Sequence, residues 1–449
     1  MSERCIVFLI SDTGGGHRSA ALAISSAIQL LQEATLSNGS AGHLQSSEIE
    51  AAKAKAAMDG RPDASDGTKA SAGPDGGEAG SRLRLEIVEA FEECSAFPLR
   101  QFARLYGPAS RYTPGLYGLV FHLSNHPGRI HEVQQLLSPL MLKGLERRLS
   151  ELQPDVIVSV HPLLNYVTVA ALRHLARPVP FLVVVTDLIS AHHSWFTEGA
   201  TAYVVPTEET RQLYLARGLD PERVHLLGMP IHPRFTLPVA SREELRVQLG
   251  LEPERPVVLL VGGGEGSGGL RTAVEAISQA RLPVQLLVVT GRNRRLYAQL
   301  QKERAKWQVP AKIMGFVTNM PELMHAADVI VTKAGPGTIC EALACNLPII
   351  LSGYVPGQEE GNVTFVERNG VGVLARKPQQ LVRALQELLE PGSALLQQRI
   401  ENARRLSRPQ AAFDIARLIL SYLPPPGQPG PWEERQAVAQ VATAKVKGK

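Results

Sequence analysis

The run SDTGGGHRSA at residues 11–20 places three glycines before a histidine and an arginine, directly after the apolar stretch CIVFLI. Gly15 and Gly16 let backbone approach a ligand with no Cβ in the way, and a helix beginning near Ser19 offers its unpaired N–H groups to an anion. An imidazole on such a turn, with an ordinary pKa of about 6.5, can take a hydroxyl proton at neutral pH, and Asp12 or Asp187 could orient it. The residues alone leave His17 as either a general base or a capping and packing histidine. A dinucleotide fingerprint does not fit, because GGGHRS is not GxGxxG and no acidic residue stands where a ribose-binding carboxylate belongs.

Further chemistry gathers in the second half. VGGGEGSGGL at residues 261–270 lacks the GK[ST] of a phosphate-binding P-loop; the amides around Gly263 and Gly264 either bind a diphosphate or form a structural turn. Phe316 and Val317 either flank a planar base or pack as core. In VTKAGPGTICEAL, Gly335 and Gly337 turn the chain into a helix, Thr338 is available to a phosphate, and Glu341 lies one turn inside. A carboxylate suits a neutral diol, whose two hydroxyls it can accept, better than it suits a phosphate. GQEEGN then supplies Gln358, Glu359 and Asn362 as donors and acceptors for a hexose. Diphosphate, ribose and hexose are covered without a metal or a separate cofactor.

These residues need elements to position them. Residues 4–10 read as a strand followed by a helix of about four turns, and strand and helix then alternate along the chain through PDVIVSV, PFLVVVTDL and YVVP. GMPIHPRF interrupts that rhythm, after which PVVLLV, PVQLLVV, AKIMGFV, ADVIVTK and LPIILSG repeat it. The pattern predicts two α/β domains with parallel sheets, residues 1–235 and 236–425, whose strands point their carboxyl ends into one cleft. Residues 37–81 read as a flexible insertion rich in Gly, Ala, Ser and Asp, and residues 426–449 as a loose tail.

Bulk properties set outer limits. The 449 residues are 44% apolar and 20% charged, with a formal net charge of +4. That is too mild for a nucleic-acid partner but compatible with an anionic ligand or bilayer surface. Four cysteines without metal-ligand spacing read as reduced small hydrophobes. No apolar stretch is long enough to span a membrane, and no signal peptide is evident, so membrane work would be done from the surface. A segment suited to it is FPLRQFARLYGPASRYTPGLYGLVFHLSNHP, where Arg100, Arg104 and Arg111 interleave with aromatics and no acidic residue occurs.

Together, SDTGGGHRSA, TDL with HHSWF, GMPIHPRF, KAGPGTICEAL and PGQEEGN resemble the monogalactosyldiacylglycerol synthases and the processive diacylglycerol glucosyltransferases. These in turn are similar to the peptidoglycan glycosyltransferase that moves N-acetylglucosamine onto a lipid-linked acceptor. The resemblance covers residues 4–425 apart from the insertion. It implies a GT-B fold, two Rossmann-like domains facing across a cleft, and a metal-independent, inverting transfer from UDP-galactose or UDP-glucose to diacylglycerol. It implies His17 as catalytic base, Gly263 and Gly264 at the diphosphate, Phe316 and Val317 at the uracil, and Gly335, Thr338 and Glu341 at diphosphate and ribose. Gln358, Glu359 and Asn362 are implied at the sugar, and Asp187 and Trp195 near the acceptor and anionic lipid. The implied location is cytoplasmic, on the inner face of the plasma membrane.

Two departures stand out: His232 occupies a position that is arginine in many members, and HHSWF replaces a Cys, His and Pro arrangement before the tryptophan. The rival readings are transfer of N-acetylglucosamine to a polyprenyl or other lipid, a sugar-nucleotide-binding protein without turnover, and an epimerase that consumes donor without an acceptor.

Overall fold

A computed structural model describes residues 3–11, 15–38, 83–101, 118, 122–123, 125–189, 191–237, 239–262, 269–425 and 428–432. The alternating apolar runs form two six-stranded sheets in which every strand pair is parallel. The first contains β1 (Arg4–Ile10), β2 (Leu83–Glu89), β3 (Val156–Ser159), β4 (Phe181–Val184), β5 (Ala202–Val205) and β6 (Val224–Leu226), in the order β2-β1-β3-β4-β5-β6. The second contains β7 (Val257–Val261), β8 (Gln285–Val289), β9 (Ala311–Met314), β10 (Val329–Lys333), β11 (Ile349–Gly353) and β12 (Gly372–Leu374), in the order β12-β11-β10-β7-β8-β9.

The central strands carry apolar side chains at successive positions because both faces of each sheet are covered, whereas edge strand β2, LRLEIVE, alternates and is mostly half-buried. From β1, Ile6, Phe8 and Ile10 enter one core with Ala21, Ile24 and Ile28 of the first helix, while Cys5, Val7 and Leu9 enter another with Leu145 and Leu149. In β7, Val257, Leu259 and Val261 divide in the same way from Val258 and Leu260. The first helix, Gly16–Asn38, is longer than the four turns expected and takes in the opening residues of the expected insertion. Its residues up to Asn38 include no interior glycine or proline. The stretch before β3 forms two helices, Pro127–Leu137 and Pro139–Leu152, because Pro139 ends the first and opens the second.

The expected boundary at 425 is also shifted. The helix Ala411–Ser421 leaves the second sheet and packs Phe413, Ile415 and Ile419 beside the first helix in the first domain's core. Trp432 follows it into the first domain, buried with its Nε1 donating to Pro154 O at 2.9 Å and the Arg177 guanidinium 5.0 Å from its ring. The two passages between domains run side by side. Gly228 has φ +101°, and a Cβ there would lie 2.9 Å from that of Arg408, so the close approach requires glycine. No helix among the described residues is long and apolar enough to cross a membrane.

Candidate active site

In an open parallel sheet, ligands sit beyond the carboxyl ends of strands at the point where the strand order reverses. In the first sheet that point lies between β1 and β3. β1 leads to the glycine turn and β3 to His161. Gly15 takes φ +82°, which a side chain would resist, and its carbonyl accepts the first helical bond from Ser19 N at 3.0 Å. The turn delivers His17 edge-on to His161, with ring centroids 4.6 Å apart, and Thr186 Oγ1, just past β4, lies 3.4 Å from His17 Nδ1. His161 is buried, and both that burial and the neighbouring His17 push its pKa well below 6.5, so it stays neutral.

Asp187 lies beside this pair but is held by Trp195, whose Nε1 donates to Asp187 Oδ2 at 2.7 Å. Trp195 is wholly buried, with its ring 6.4 Å from that of His17. It braces the site from within. Burial lifts the Asp187 carboxyl to about 6, against hydrogen bonds from Trp195 and the His192 backbone, and the negative charge of Glu359 lifts it further. Glu359 belongs to the second domain, so the two strand-end clusters face each other. Asp12, Gly263 and Gly264 lie outside the described residues.

In the second sheet the order is that of a dinucleotide-binding fold, with its reversal between β7 and β10. β10 ends at Lys333, and Gly335 caps the helix Pro336–Ala344, with proline in its first turn, where an amide is not needed. A Cβ on Gly337 would meet nothing within 4 Å, which leaves open space at the helix N-terminus. Thr338 is partly exposed in the first turn. Glu341 is half-buried, and burial raises its carboxyl to about 7. Phe316, on the loop after β9, is 53% exposed with the Arg292 guanidinium 5.1 Å from its ring, as an accessible flat surface should be, whereas Val317 packs against the core.

The run at 358–362 is arranged differently from expectation. Gln358 is partly exposed, but Glu359 is buried, its Oε1 accepting from Lys333 Nζ at 2.5 Å and its Oε2 from Val355 N at 2.9 Å. Asn362 is buried as well and donates Nδ2 to Ala334 O at 2.8 Å. These groups clamp the loop after β11 onto the end of β10, so they shape the pocket rather than presenting every oxygen to a sugar. Lys333 was not singled out in the sequence. Its signal was a charged residue closing an otherwise apolar buried strand.

The domains also touch beyond the strand ends. Ser26 Oγ of the first helix lies 3.3 Å from Nε2 of His232, whose Nδ1 accepts from Arg234 N, so this departure from the family's arginine is tied into the interdomain passage. His122 Nε2 lies 3.6 Å from Glu360 Oε2. Among the described residues no cluster of three or more His, Cys, Asp and Glu side chains could hold a metal ion.

Residues 77–231 match the family described as Monogalactosyldiacylglycerol (MGDG) synthase, and residues 257–414 match the Glycosyltransferase family 28 C-terminal domain. The chain is 34% identical over 426 residues to the monogalactosyldiacylglycerol synthase 3, chloroplastic, of Arabidopsis thaliana, covering 93% of this chain and 81% of that one. Among solved structures it is similar to MurG of Acinetobacter baumannii, at 14% identity and TM-score 0.54, covering 93% of this chain and 99% of that one. It is similar too to the UDP-GlcNAc 2-epimerase of Neisseria meningitidis, at 11% identity and TM-score 0.55, covering 94% and 100%. At such identities the two structures establish the GT-B fold alone.

Proposed function

The chain belongs to the monogalactosyldiacylglycerol synthase family and is a glycosyltransferase, and from that premise we propose that it moves a hexose from a UDP-sugar to the hydroxyl of diacylglycerol, forming a β-glycosyldiacylglycerol. The relatives' name favours galactose over glucose. One observation carries the mechanism: His17 stands at the strand-order reversal of one sheet, the helix Pro336–Ala344 opens at that of the other, and the first helix, which carries His17, packs against Pro336–Ala344.

In this reading the second domain holds the donor, with Phe316 at the uracil, Glu341 at the ribose and the N-terminus of Pro336–Ala344 at the diphosphate. His17 takes the proton of the lipid hydroxyl as its oxygen attacks from the face opposite UDP, which inverts the anomeric centre. Thr186 Oγ1, 3.4 Å from Nδ1, helps set the orientation of the ring. Asp187, above its ordinary pKa yet largely ionised at neutral pH, offsets the charge that His17 gains. Closure of the domains excludes water, so that transfer outpaces hydrolysis.

The acceptor lies in a bilayer, and the first domain presents exposed Phe97, Leu123 and Leu136 near Arg100 and Arg129. Arg104 and Arg111 lie outside the described residues. We assign this side to an anionic membrane surface, at the inner face of the plasma membrane, where cell fractionation separates it from the chloroplast named for the plant relatives. The decisive assay offers a panel of UDP-sugars with diacylglycerol or polyprenyl acceptors and weighs the products. Glycosyldiacylglycerol, with UDP released only when the acceptor is present, is the expected result. A polyprenyl product, or donor consumed without acceptor, would overturn the reading.

A further inference from the structure

We propose that Lys333 is a donor-contacting residue whose ammonium, held in place by Glu359, meets the diphosphate of the sugar nucleotide and steadies the charge that grows on it as the glycosidic bond breaks. The inference rests on the donor site described above and adds a residue that neither the motifs nor the family descriptions assign.

Lys333 is the last residue of β10, one of the two strands flanking the reversal, and the chain turns from it through Ala334 and Gly335 into the helix Pro336–Ala344. A lysine at the end of a buried parallel strand has to be paired or solvated. Its Nζ gives one N–H to Glu359 Oε1, while its side chain remains 31% exposed, so the ammonium keeps donors for a ligand. It also lies over the glycine cap: a Cβ on Gly335 would meet Nζ at 3.4 Å and Cε at 3.8 Å. The ammonium thus lies close to the helix N-terminus, where the dipole and the ammonium act on one anion together.

Glu359 is the positioning partner. Glu359 is 5% exposed and its carboxylate also accepts from Val355 N at 2.9 Å, so the lysine is paired with a fixed group rather than left to sample solvent. The pair stands at the carboxyl end of β10, beside the strand-order reversal and the opening of Pro336–Ala344.

The test compares UDP with uridine by calorimetry in the wild type, in Lys333→Met and in Lys333→Arg. Lys333→Met should weaken UDP about tenfold or more while leaving uridine unchanged, and Lys333→Arg should retain most of the preference for UDP. Because Lys333→Met strands a buried carboxylate, the double variant Lys333→Met/Glu359→Gln is measured beside it and should show the same selective loss. Equal affinity for UDP in wild type and variants overturns the proposal. So does a parallel loss of UDP and uridine with a lower melting temperature, the mark of a purely structural pair. A wild type that binds neither nucleotide would refute the donor-site reading itself, which separates the two failures.

Discussion

Alanine at position 17 isolates the chemistry from the fold. The His17 ring is half-exposed in the first turn of the first helix, where alanine is the better helix former by about 0.5 kcal/mol. The substitution loses the edge-on contact with His161 at 4.6 Å, worth about 0.5–1.5 kcal/mol. It also loses the 3.4 Å contact with Thr186, which is long enough to contribute under about 1 kcal/mol. The net cost in stability is therefore about 1 kcal/mol, a few degrees of melting temperature at most. Loss of a general base slows the chemical step about 10²- to 10⁴-fold, equivalent to about 2.7–5.5 kcal/mol. The effect on turnover exceeds the effect on folding several times over.

The donor, held on the other domain, should not register the change. The measurement is kcat with saturating UDP-sugar and diacylglycerol in mixed micelles, alongside calorimetric UDP affinity and thermal denaturation of the same preparation. Adding imidazole should restore part of the rate, since the truncated side chain leaves space beside Thr186. A His17→Ala variant whose kcat falls less than about threefold would refute the assignment of the base. So would a UDP affinity that falls in step with kcat, because His17 would then belong to donor binding.

Two carboxyls make folding pH-dependent in a direction opposite to the usual acid loss. Asp187 is raised from 3.8 to about 6 and Glu341 from 4.5 to about 7, so the fold favours their neutral forms; that stability is complete below their ordinary values and is lost as pH rises through about 6 and about 7. Glu341→Gln and Asp187→Asn should each flatten the fall of the ligand-free melting temperature across that window, and an unchanged slope in both would contradict it. Glu341→Gln should also weaken uridine, because an amide accepts one ribose hydroxyl less well than a carboxylate; unchanged uridine affinity would remove the ribose assignment. Trp432→Ala should cost about 3–5 kcal/mol in denaturant unfolding while leaving kcat intact, since the residue fills the first domain's core beside Pro154, at the strand starts away from the cleft. Deleting residues 40–78 should preserve fold and turnover, because β1 and β2 pair over seven residues whatever joins them; aggregation of that variant would count against it.

The sheets were legible because the central strands are apolar runs bounded by turn residues, as burial on both faces demands, while the edge strands β2 (LRLEIVE) and β9 (AKIM) carry charges. Strand order was not, since it depends on contacts between β1 and β3 across about 150 intervening residues, and the meeting of His17 with His161 follows from that adjacency alone. The same limit hid the return of Ala411–Ser421: an amphipathic helix advertises an apolar face but not which core receives it. The partner of Glu359 was hidden for a different reason. Read with its neighbours, a carboxylate in GQEEGN looks like a sugar ligand, because sequence records the acceptor and not the donor that reaches it first. That donor, Lys333, lies 26 residues earlier, where a charge at the end of VIVTK conflicts with the burial of the strand before it. A local conflict of this kind must be resolved by pairing, by a ligand or by both. Here the pairing makes the lysine and the glutamate one feature of the site rather than two separate ones.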